Sequence, residues 1–270
     1  MINVFQESDV ALQPGLYSNN GTFEYVEFDV PDELSWLVER FYFLHTDRSC
    51  AAAFQVVADG RSDLMFDCRG EHDPMVTLSL ARPLHFDLPA SLRMVGARLR
   101  PGRLGQLAGS VDVARDGSSH RVADLMAVDQ GIDFRRRADP EVILGEVADR
   151  LFRPEPEEDI DLMSVQSVIQ PRRNHLQEHS PLTTPPGMSD RHFRRLFARR
   201  FGLSPKRFQR VQRFQESLQS LAADPAHSLS DLASAHGYFD QAHMTNEWLA
   251  LSGQRPSWWR GRFFQDGLSV

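Results

Sequence analysis

The most informative stretch of this chain is SLSDLASAHGYFDQAHMTNEW, residues 228–248. Ser228 can cap a helix whose inner face carries four side chains at helical spacing: Leu229, Leu232, Ala233 and His236. Gly237 supplies the positive φ of a tight corner, and Asp240 can cap a second helix directly after that corner. The pattern predicts a helix-turn-helix.

A second amphipathic pattern lies upstream, at residues 188–202, and Gly202 marks its end. Its apolar side chains recur at helical spacing: Phe193, Leu196, Phe197 and Phe201. The rest of the helix surface is expected to carry five arginines: Arg191, Arg194, Arg195, Arg199 and Arg200. A cationic helix fixed by an aromatic stripe suits the major groove of DNA. A helical bundle with no role in DNA binding is the alternative, because most amphipathic helices merely cover a core.

Three motifs extend the pattern over the rest of the C-terminal region. GLSPK follows the aromatic helix at residues 202–206, GYFDQAH stands at 237–243 and SGQRPSW at 252–258. In this order and spacing they resemble the AraC/XylS family of bacterial transcription regulators, over roughly the last third of the chain. The resemblance implies an all-α domain of two helix-turn-helix units joined by a long helix, expected over residues 205–222. It also implies sequence-specific binding of double-stranded DNA and no enzymatic activity.

The arginines in the N-terminal half of the first cationic helix are expected to contact bases in the first groove. Lys206 and Arg207, at the positive end of the long helix, are expected to touch phosphate. The second unit has to rely on polar side chains, and Gln and Asn can pair with adenine edges. The complete predicted DNA-binding set is Arg191, Arg194, Arg195, Arg199, Lys206, Arg207, Gln241, His243, Thr245 and Asn246.

The sequence departs from the family pattern in two places. The segment before the first cationic helix reads SPLTTPPG, residues 180–187, and its prolines leave room for no more than about one helical turn. In the second unit, relatives commonly place arginines where this chain has Asn246, Leu249 and Ala250. These departures support a second interpretation, a regulator-derived protein with weakened DNA binding that acts through protein contacts.

Length and charge divide the chain into two parts. Its 270 residues are enough for two domains, each with its own core. Residues 188–270 hold 12 basic and 7 acidic residues, whereas residues 1–187 hold 18 basic and 30 acidic residues. Only the C-terminal part therefore has the positive charge that DNA requires.

The N-terminal part is predicted to be rich in β-strands. The strand candidates are residues 23–30, 37–44, 52–57, 64–67, 75–80 and 92–99. Asp59 and Gly60 lie between two of them and predict a hairpin turn. Helices are expected over residues 120–127 and 139–152, and the charged, proline-broken stretch 153–159 is typical of a linker.

Residues 57–66 and 95–102 resemble two signature stretches of an uncharacterised, cupin-like N-terminal domain found on a subset of AraC-type regulators. That resemblance implies a sensory or dimerising role. The predicted fold class is α+β with two domains: a cupin-like β-barrel with added helices, then the all-α domain. We place the first domain at residues 1–152, the linker at 153–160 and the DNA-binding domain at 161–270.

Candidate chemistry in the N-terminal part is sparse. This part contains four histidines: His45, His72, His85 and His120. They do not stand at metal-ligand spacing, so neither a metal site nor any cofactor is expected. A cupin-type enzyme fused to a DNA-binding module is the third interpretation. Asp59, Arg61 and Asp63 could bind a polar effector, although turn chemistry alone explains an Asp-Gly pair.

Two cysteines, Cys50 and Cys68, cannot form a disulfide framework, and the sequence shows neither a signal peptide nor an apolar run of membrane-spanning length. We therefore expect a cytoplasmic protein with no membrane partner. Besides DNA, the family resemblance suggests RNA polymerase, a small-molecule effector and a second copy of the chain as partners. The sequence identifies neither the effector nor its binding residues.

Overall fold

The computed structural model describes residues 16–20, 23–46, 52–69, 73–78, 81–103, 119–121 and 184–266. Antiparallel strands make up the N-terminal part, and five helices make up the C-terminal part. The predicted α+β class with a strand-rich first part and an all-α second part is confirmed. The predicted helix at 139–152, the linker and Cys50 lie outside the described residues.

Nine strands form two antiparallel sheets among the described residues. The three-stranded sheet has the order β1-β4-β7 and the six-stranded sheet has the order β2-β3-β8-β5-β6-β9, and both are open at their edges within this part of the chain. The strands are β1 Leu16–Asn20, β2 Phe23–Phe28, β3 Val38–Thr46, β4 Ala52–Val56, β5 Ser62–Asp67, β6 Met75–Thr77, β7 Leu84–Leu88, β8 Arg93–Leu99 and β9 Ser119–Arg121.

Two local predictions for this region are wrong. β4 and β5 do not form a hairpin, because β4 pairs with β1 and β7, whereas β5 pairs with β6 and β8 in the other sheet. Gly60 does adopt a positive φ of 69°, but the chain there crosses from one sheet to the other. Residues 120 and 121, predicted to begin a helix over 120–127, belong instead to β9, which pairs with β6.

One face of the six-stranded sheet is closely packed with apolar side chains, which the alternation of side chains along each strand places together. Phe41, Leu64, Phe66 and Val95 are all at most 2% exposed on that face. On the opposite face the ring of Tyr42 lies over Gly96, where an added Cβ would fall 1.9 Å from the ring. Glycine is therefore required at this position because any side chain would collide with the tyrosine.

The helical part consists of α1 Asp190–Phe201, α2 Pro205–Ala223, α3 Leu229–Ala235, α4 Gln241–Ser252 and α5 Pro256–Asp266. Each of the first four helices is capped by a side chain that accepts a hydrogen bond from the backbone N–H three residues on. The capping residues are Ser189, Ser204, Ser228 and Asp240. Each such cap stabilises a helix by about 1 kcal/mol. Gly202, Gly237 and Gly253 have positive φ and allow the chain to turn at or just beyond the ends of α1, α3 and α4.

Aromatic side chains fill the core between the helices. Phe197 is fully buried and stacks on Phe201 with ring centroids 4.4 Å apart, and both rings contact Phe208 of α2. Trp248 of α4 is also fully buried and meets Phe214 edge-on at 5.3 Å. The long helix α2, which the sequence predicts, is thus packed against the cationic helix α1 and against α4 of the second unit.

The crossing segment between β4 and β5 packs against the helical part. Val57 and Ala58 belong to the same buried cluster as Phe208 and Val211 of α2. The Ala58 N–H donates to the Leu251 carbonyl at 2.9 Å, and the Ala58 carbonyl accepts from Gln215 Nε2 at 2.6 Å. The crossing segment therefore belongs to the same apolar core as the helices.

Candidate nucleic-acid interface

Helix α1 presents a row of cations to solvent. Arg191, Arg194, Arg195 and Arg199 are all exposed and follow the three- and four-residue spacing of one helical side. Phe193, at 3% exposure, and the rest of the aromatic stripe hold the opposite side in the core. Because the core fixes the helix, the arginines project from a rigid support.

Arg200 does not join this row, so its predicted surface position is wrong. Its relative exposure is only 4%. The reason is helical spacing: Arg200 stands seven residues after Phe193, four after Leu196 and three after Phe197, which places it within the apolar stripe. The periodicity in the sequence was sufficient to predict this burial.

The start of α2 combines a helix N-terminus with two exposed cations. Ser204 caps the helix by accepting from the Arg207 N–H at 3.4 Å, and Pro205 stands at the first helical position. Lys206 and Arg207 are exposed in the first turn of this helix. The positive end of the helix and these two side chains together favour an anionic partner.

The predicted DNA contacts of the second unit all lie on α4 but differ in their exposure to solvent. Gln241 and Asn246 are exposed, whereas His243 and Thr245 are half-buried. Thr245 Oγ1 donates to the Gln241 carbonyl at 2.8 Å, so its proton is held within the helix. The His243 ring accepts from the Phe239 N–H through Nδ1 at 3.2 Å, which ties the turn before α4 to the helix.

A buried carboxylate, Glu247, fastens α4 to the long helix α2. Glu247 Oε1 accepts from Arg210 Nε at 2.8 Å and Oε2 accepts from Arg213 Nη2 at 2.7 Å. His243 Nε2 lies 3.6 Å from Oε1. Burial alone would raise the pKa of Glu247, but the hydrogen bonds and charges of Arg213 and Arg210 outweigh it and hold the pKa below its ordinary value.

Sequence reasoning missed this cluster of Glu247 with Arg210 and Arg213, although part of its signal is present. Glu247 falls on the buried side of α4 together with Met244, Trp248 and Leu251. A carboxylate in an apolar stripe requires partners, so the spacing alone predicts an ion pair. The identity of the partners depends on how α2 and α4 pack, which helical spacing does not reveal.

Buried hydroxyl groups add further fixed contacts beneath α4. Ser217 Oγ accepts from Trp248 Nε1 at 3.2 Å and lies 3.2 Å from the Tyr238 hydroxyl. Burial raises the pKa of Tyr238 to about 12, so its hydroxyl stays neutral near neutral pH. The Arg213 guanidinium lies 4.7 Å from the centre of the Tyr238 ring. These contacts hold the turn and the second helix of the unit in one orientation.

The crossing segment and the basic side chains use opposite sides of α2. Phe208, Val211 and Gln215 lie along one side at helical spacing, and a Cβ on Gly60 would lie 3.5 Å from Val211 Cγ1. The other side of the helix faces a groove lined by Lys206, Gln209, Arg210, Arg213, His243 and Glu247. The described residues of the N-terminal part therefore pack on α2 without covering its basic side.

The polar residues around Gly60 form a buried network in the N-terminal part. Asp59 Oδ1 accepts from the Arg61 N–H at 2.9 Å, which is the turn chemistry expected for Asp-Gly. Arg61 is paired with Glu39, and Arg98 Nε lies 3.2 Å from Asp63 Oδ1. In the described part of the chain, no group of three His, Cys, Asp or Glu side chains could hold a metal ion.

One complete helix-turn-helix, formed by α3 and α4, and the cationic helix α1 lie at the two ends of one long helix. This arrangement is of the kind found in the DNA-binding modules of transcription regulators. Residues 184–262 match the family model of the helix-turn-helix domain. This C-terminal part of the chain is an AraC-type helix-turn-helix domain.

None of the helices in the described ranges is long and apolar enough to cross a membrane.

Among solved structures, the chain is similar to ToxT from Vibrio cholerae O395, with 9% identity, a TM-score of 0.39 and coverage of 92% of this chain and 96% of that one. ToxT bound to (E)-4-(8-methylnaphthalen-1-yl)but-3-enoic acid gives 12% identity, a TM-score of 0.34 and coverage of 92% and 99%. Likenesses this weak establish neither a ligand nor an arrangement of domains. No curated protein shows significant sequence similarity to the chain.

Proposed function

We propose that this protein is a sequence-specific transcriptional regulator of the AraC/XylS type that binds double-stranded DNA through both helix-turn-helix units. The observation that carries the proposal is the exposed arginine row of α1, supported by a buried aromatic stripe inside a helix-turn-helix domain. An exposed cationic helix on a rigid core can enter a major groove without having to fold on binding.

The spacing of the two units supports binding to successive grooves. The 19 residues of α2 span roughly 28 Å at 1.5 Å per residue, close to the roughly 34 Å of one turn of DNA. The Glu247 ion pairs and the buried Trp248 keep α4 fixed on α2. A rigid spacing of this kind favours operators whose two half-sites are about one helical turn apart.

We assign three roles to the candidate residues. Arg191, Arg194 and Arg195 read bases in the first groove, and Arg199 contacts the adjoining backbone. Lys206 and Arg207 neutralise phosphate at the positive end of α2. In the second unit Gln241 and Asn246 pair with base edges, while His243 and Thr245 stand beside them as supporting contacts.

We propose that the N-terminal part modulates this binding, through an effector, through dimerisation or through both. Support comes from the crossing segment, because Ala58 is bound to α2 through Gln215 and to the end of α4 through Leu251. Gly102 also packs against α1, since a Cβ there would lie 2.6 Å from Phe201. RNA polymerase is the expected partner of the DNA-bound protein.

One observation favours the second candidate function, a regulator-derived protein that acts mainly through protein contacts. The outer side of α4 carries no charge: its exposed residues there are Ala242, Asn246, Leu249 and Ala250. A helix of this kind contributes little electrostatic binding to DNA.

Measuring the salt dependence of DNA binding separates the two candidates. The full chain is titrated against a random duplex and against genomic fragments at several salt concentrations, alongside the triple variant Arg191→Ala, Arg194→Ala, Arg195→Ala. A second triple variant, Arg255→Ala, Arg260→Ala, Arg262→Ala, removes the same charge elsewhere in the domain and is the matched control. We expect the α1 variant to lose both affinity and sequence preference, and the control to keep its preference. Equal behaviour of the two variants would refute the proposal.

A further inference from the structure

The second recognition helix offers DNA an apolar surface. Ala242, Asn246, Leu249 and Ala250 are exposed along one side of α4, and Leu249 is 46% exposed. Apart from the Asn246 amide, this side consists of aliphatic groups. The corresponding side of α1 is a row of arginines, so the two units present different chemistry to a groove.

Phe239 extends this surface at the N-terminal end of α4. Its side chain is 92% exposed, the highest value among the large apolar residues that the structure describes as exposed. Its backbone N–H donates to His243 Nδ1 at 3.2 Å, and the next residue, Asp240, caps the helix by accepting from the His243 N–H at 2.6 Å. The backbone that carries the ring is therefore fixed on both sides, and the ring itself projects into solvent.

We propose that Phe239, together with Ala242 and Leu249, reads thymine methyl groups in the second major groove. The inference rests on the proposed function, because it requires that the domain binds DNA. The second helix of a helix-turn-helix enters the groove with its N-terminal end, where Phe239 stands. The thymine methyl is the apolar group of the major-groove edge, and Phe and Ala side chains contact it. With Asn246 available for adenine, the second unit prefers A·T pairs.

The surroundings of this surface favour DNA over an apolar protein partner. Lys206, Arg210 and Arg213 line the groove beside His243, in the N-terminal half of α4. Among the described residues, Glu247 is the one carboxylate that lines this groove beside these three cations, so the border carries a net positive charge. An apolar surface with a positively charged border matches a base edge bordered by phosphates.

The test removes the methyl groups and leaves base pairing intact. The full-length protein selects duplexes from a random pool, and the thymines of the half-site that the second unit protects are then replaced by deoxyuridine. We expect the wild type to lose about fourfold in affinity for each contacted methyl, the effect of exposing one such group to water. The Phe239→Ala variant should bind the thymine duplex more weakly than the wild type does. Its affinity should fall little further when the thymines are replaced by deoxyuridine. Phe239→Leu should keep most of the preference, and Trp36→Ala, which removes another exposed aromatic, should behave as wild type.

Three results would overturn the inference. Equal binding of the wild type to the thymine and deoxyuridine duplexes would mean that α4 does not read methyl groups. If Phe239→Ala lowered the affinity for the thymine and deoxyuridine duplexes by the same factor, Phe239 would not contact the methyl groups. If Phe239→Ala changed only self-association, the surface would be a protein-docking site. A different result would refute the proposed function itself: the pool yields no enriched duplex, and the α1 arginine variant binds random DNA as the wild type does.

Discussion

Replacing Glu247 by glutamine should destabilise the protein through the contact that fastens α4 to the long helix α2. The carboxylate is 9% exposed and accepts charge-assisted hydrogen bonds from Arg210 and Arg213, which are 36% and 21% exposed. Hydrogen bonds to charged groups contribute about 1.5 to 3 kcal/mol each. Since both arginines can regain water and the amide oxygen still accepts one bond, we expect a total loss of about 2 kcal/mol. In a chain of this size that loss lowers Tm by about 4 to 8 °C.

The pH dependence of this effect has a defined sign. The pKa of Glu247 is held below its ordinary value in the folded protein. Its contribution to the free energy of unfolding is therefore complete above the unfolded pKa of about 4.3 and is lost as the pH falls through the folded pKa. The difference in Tm between the wild type and Glu247→Gln should be constant near pH 7 and should close below about pH 4.

Thermal unfolding followed by circular dichroism between pH 3 and 8 tests this prediction. Glu216→Gln is the matched control, because Glu216 is an exposed glutamate on α2. The control should unfold as the wild type does at every pH. A variant Glu247→Gln with the wild-type Tm at pH 7, or a difference that persists unchanged at pH 3, would refute the idea that the ion pairs stabilise α4 on α2.

Four further predictions concern DNA contacts and the junction between the two parts. Arg194→Ala should cost about 1 to 3 kcal/mol of binding and relax the preference at one base position, as measured by titration against single-base operator variants. Lys206→Ala should weaken specific and random duplexes equally, and a loss confined to the specific duplex would contradict its phosphate role. Asn246→Arg should steepen the slope of log affinity against log salt by roughly 0.9 without changing Tm; an unchanged slope would mean that α4 never approaches the backbone. Gln215→Ala should lower the free energy of unfolding by about 1 kcal/mol, because it leaves the Ala58 carbonyl without its partner, whereas Gln219→Ala on the exposed side of α2 should leave denaturant midpoints unchanged.

The sequence predicted what short-range interactions determine. Ser228 and Asp240 were predicted as caps because a cap bonds to a backbone N–H only three residues on. The aromatic stripe of α1 was predicted because helical spacing decides which side chains share a face. The same rule, applied to charged residues as well, would have indicated the burial of Arg200 and Glu247.

These short-range rules do not predict which distant residues and strands pair. Asp59 and Gly60 favour a turn but do not determine which strands flank it, and β5 pairs with β8, some thirty residues further along the chain. The partners of Glu247 lie 34 and 37 residues away on another helix, so only the packed structure brings the three charges together. The contact of the crossing segment with α2 and α4 also depends on packing between distant parts of the chain.

In the modulation of DNA binding that we propose, the crossing segment carries the energy through which the N-terminal part acts. Displacing it together with the end of β4 breaks three hydrogen bonds: Ala58 N–H to the Leu251 carbonyl, Gln215 Nε2 to the Ala58 carbonyl, and Gln55 Nε2 to the Ser252 carbonyl. At about 1 kcal/mol each, they correspond to about 3 kcal/mol, or roughly a hundredfold change in an equilibrium constant. Allosteric coupling energies are typically of this size. Because the segment contacts α2 and the end of α4 together, a change in the sheets that moved it would reach the long helix and the second unit at once. Within the described ranges the basic side of α2 stays uncovered.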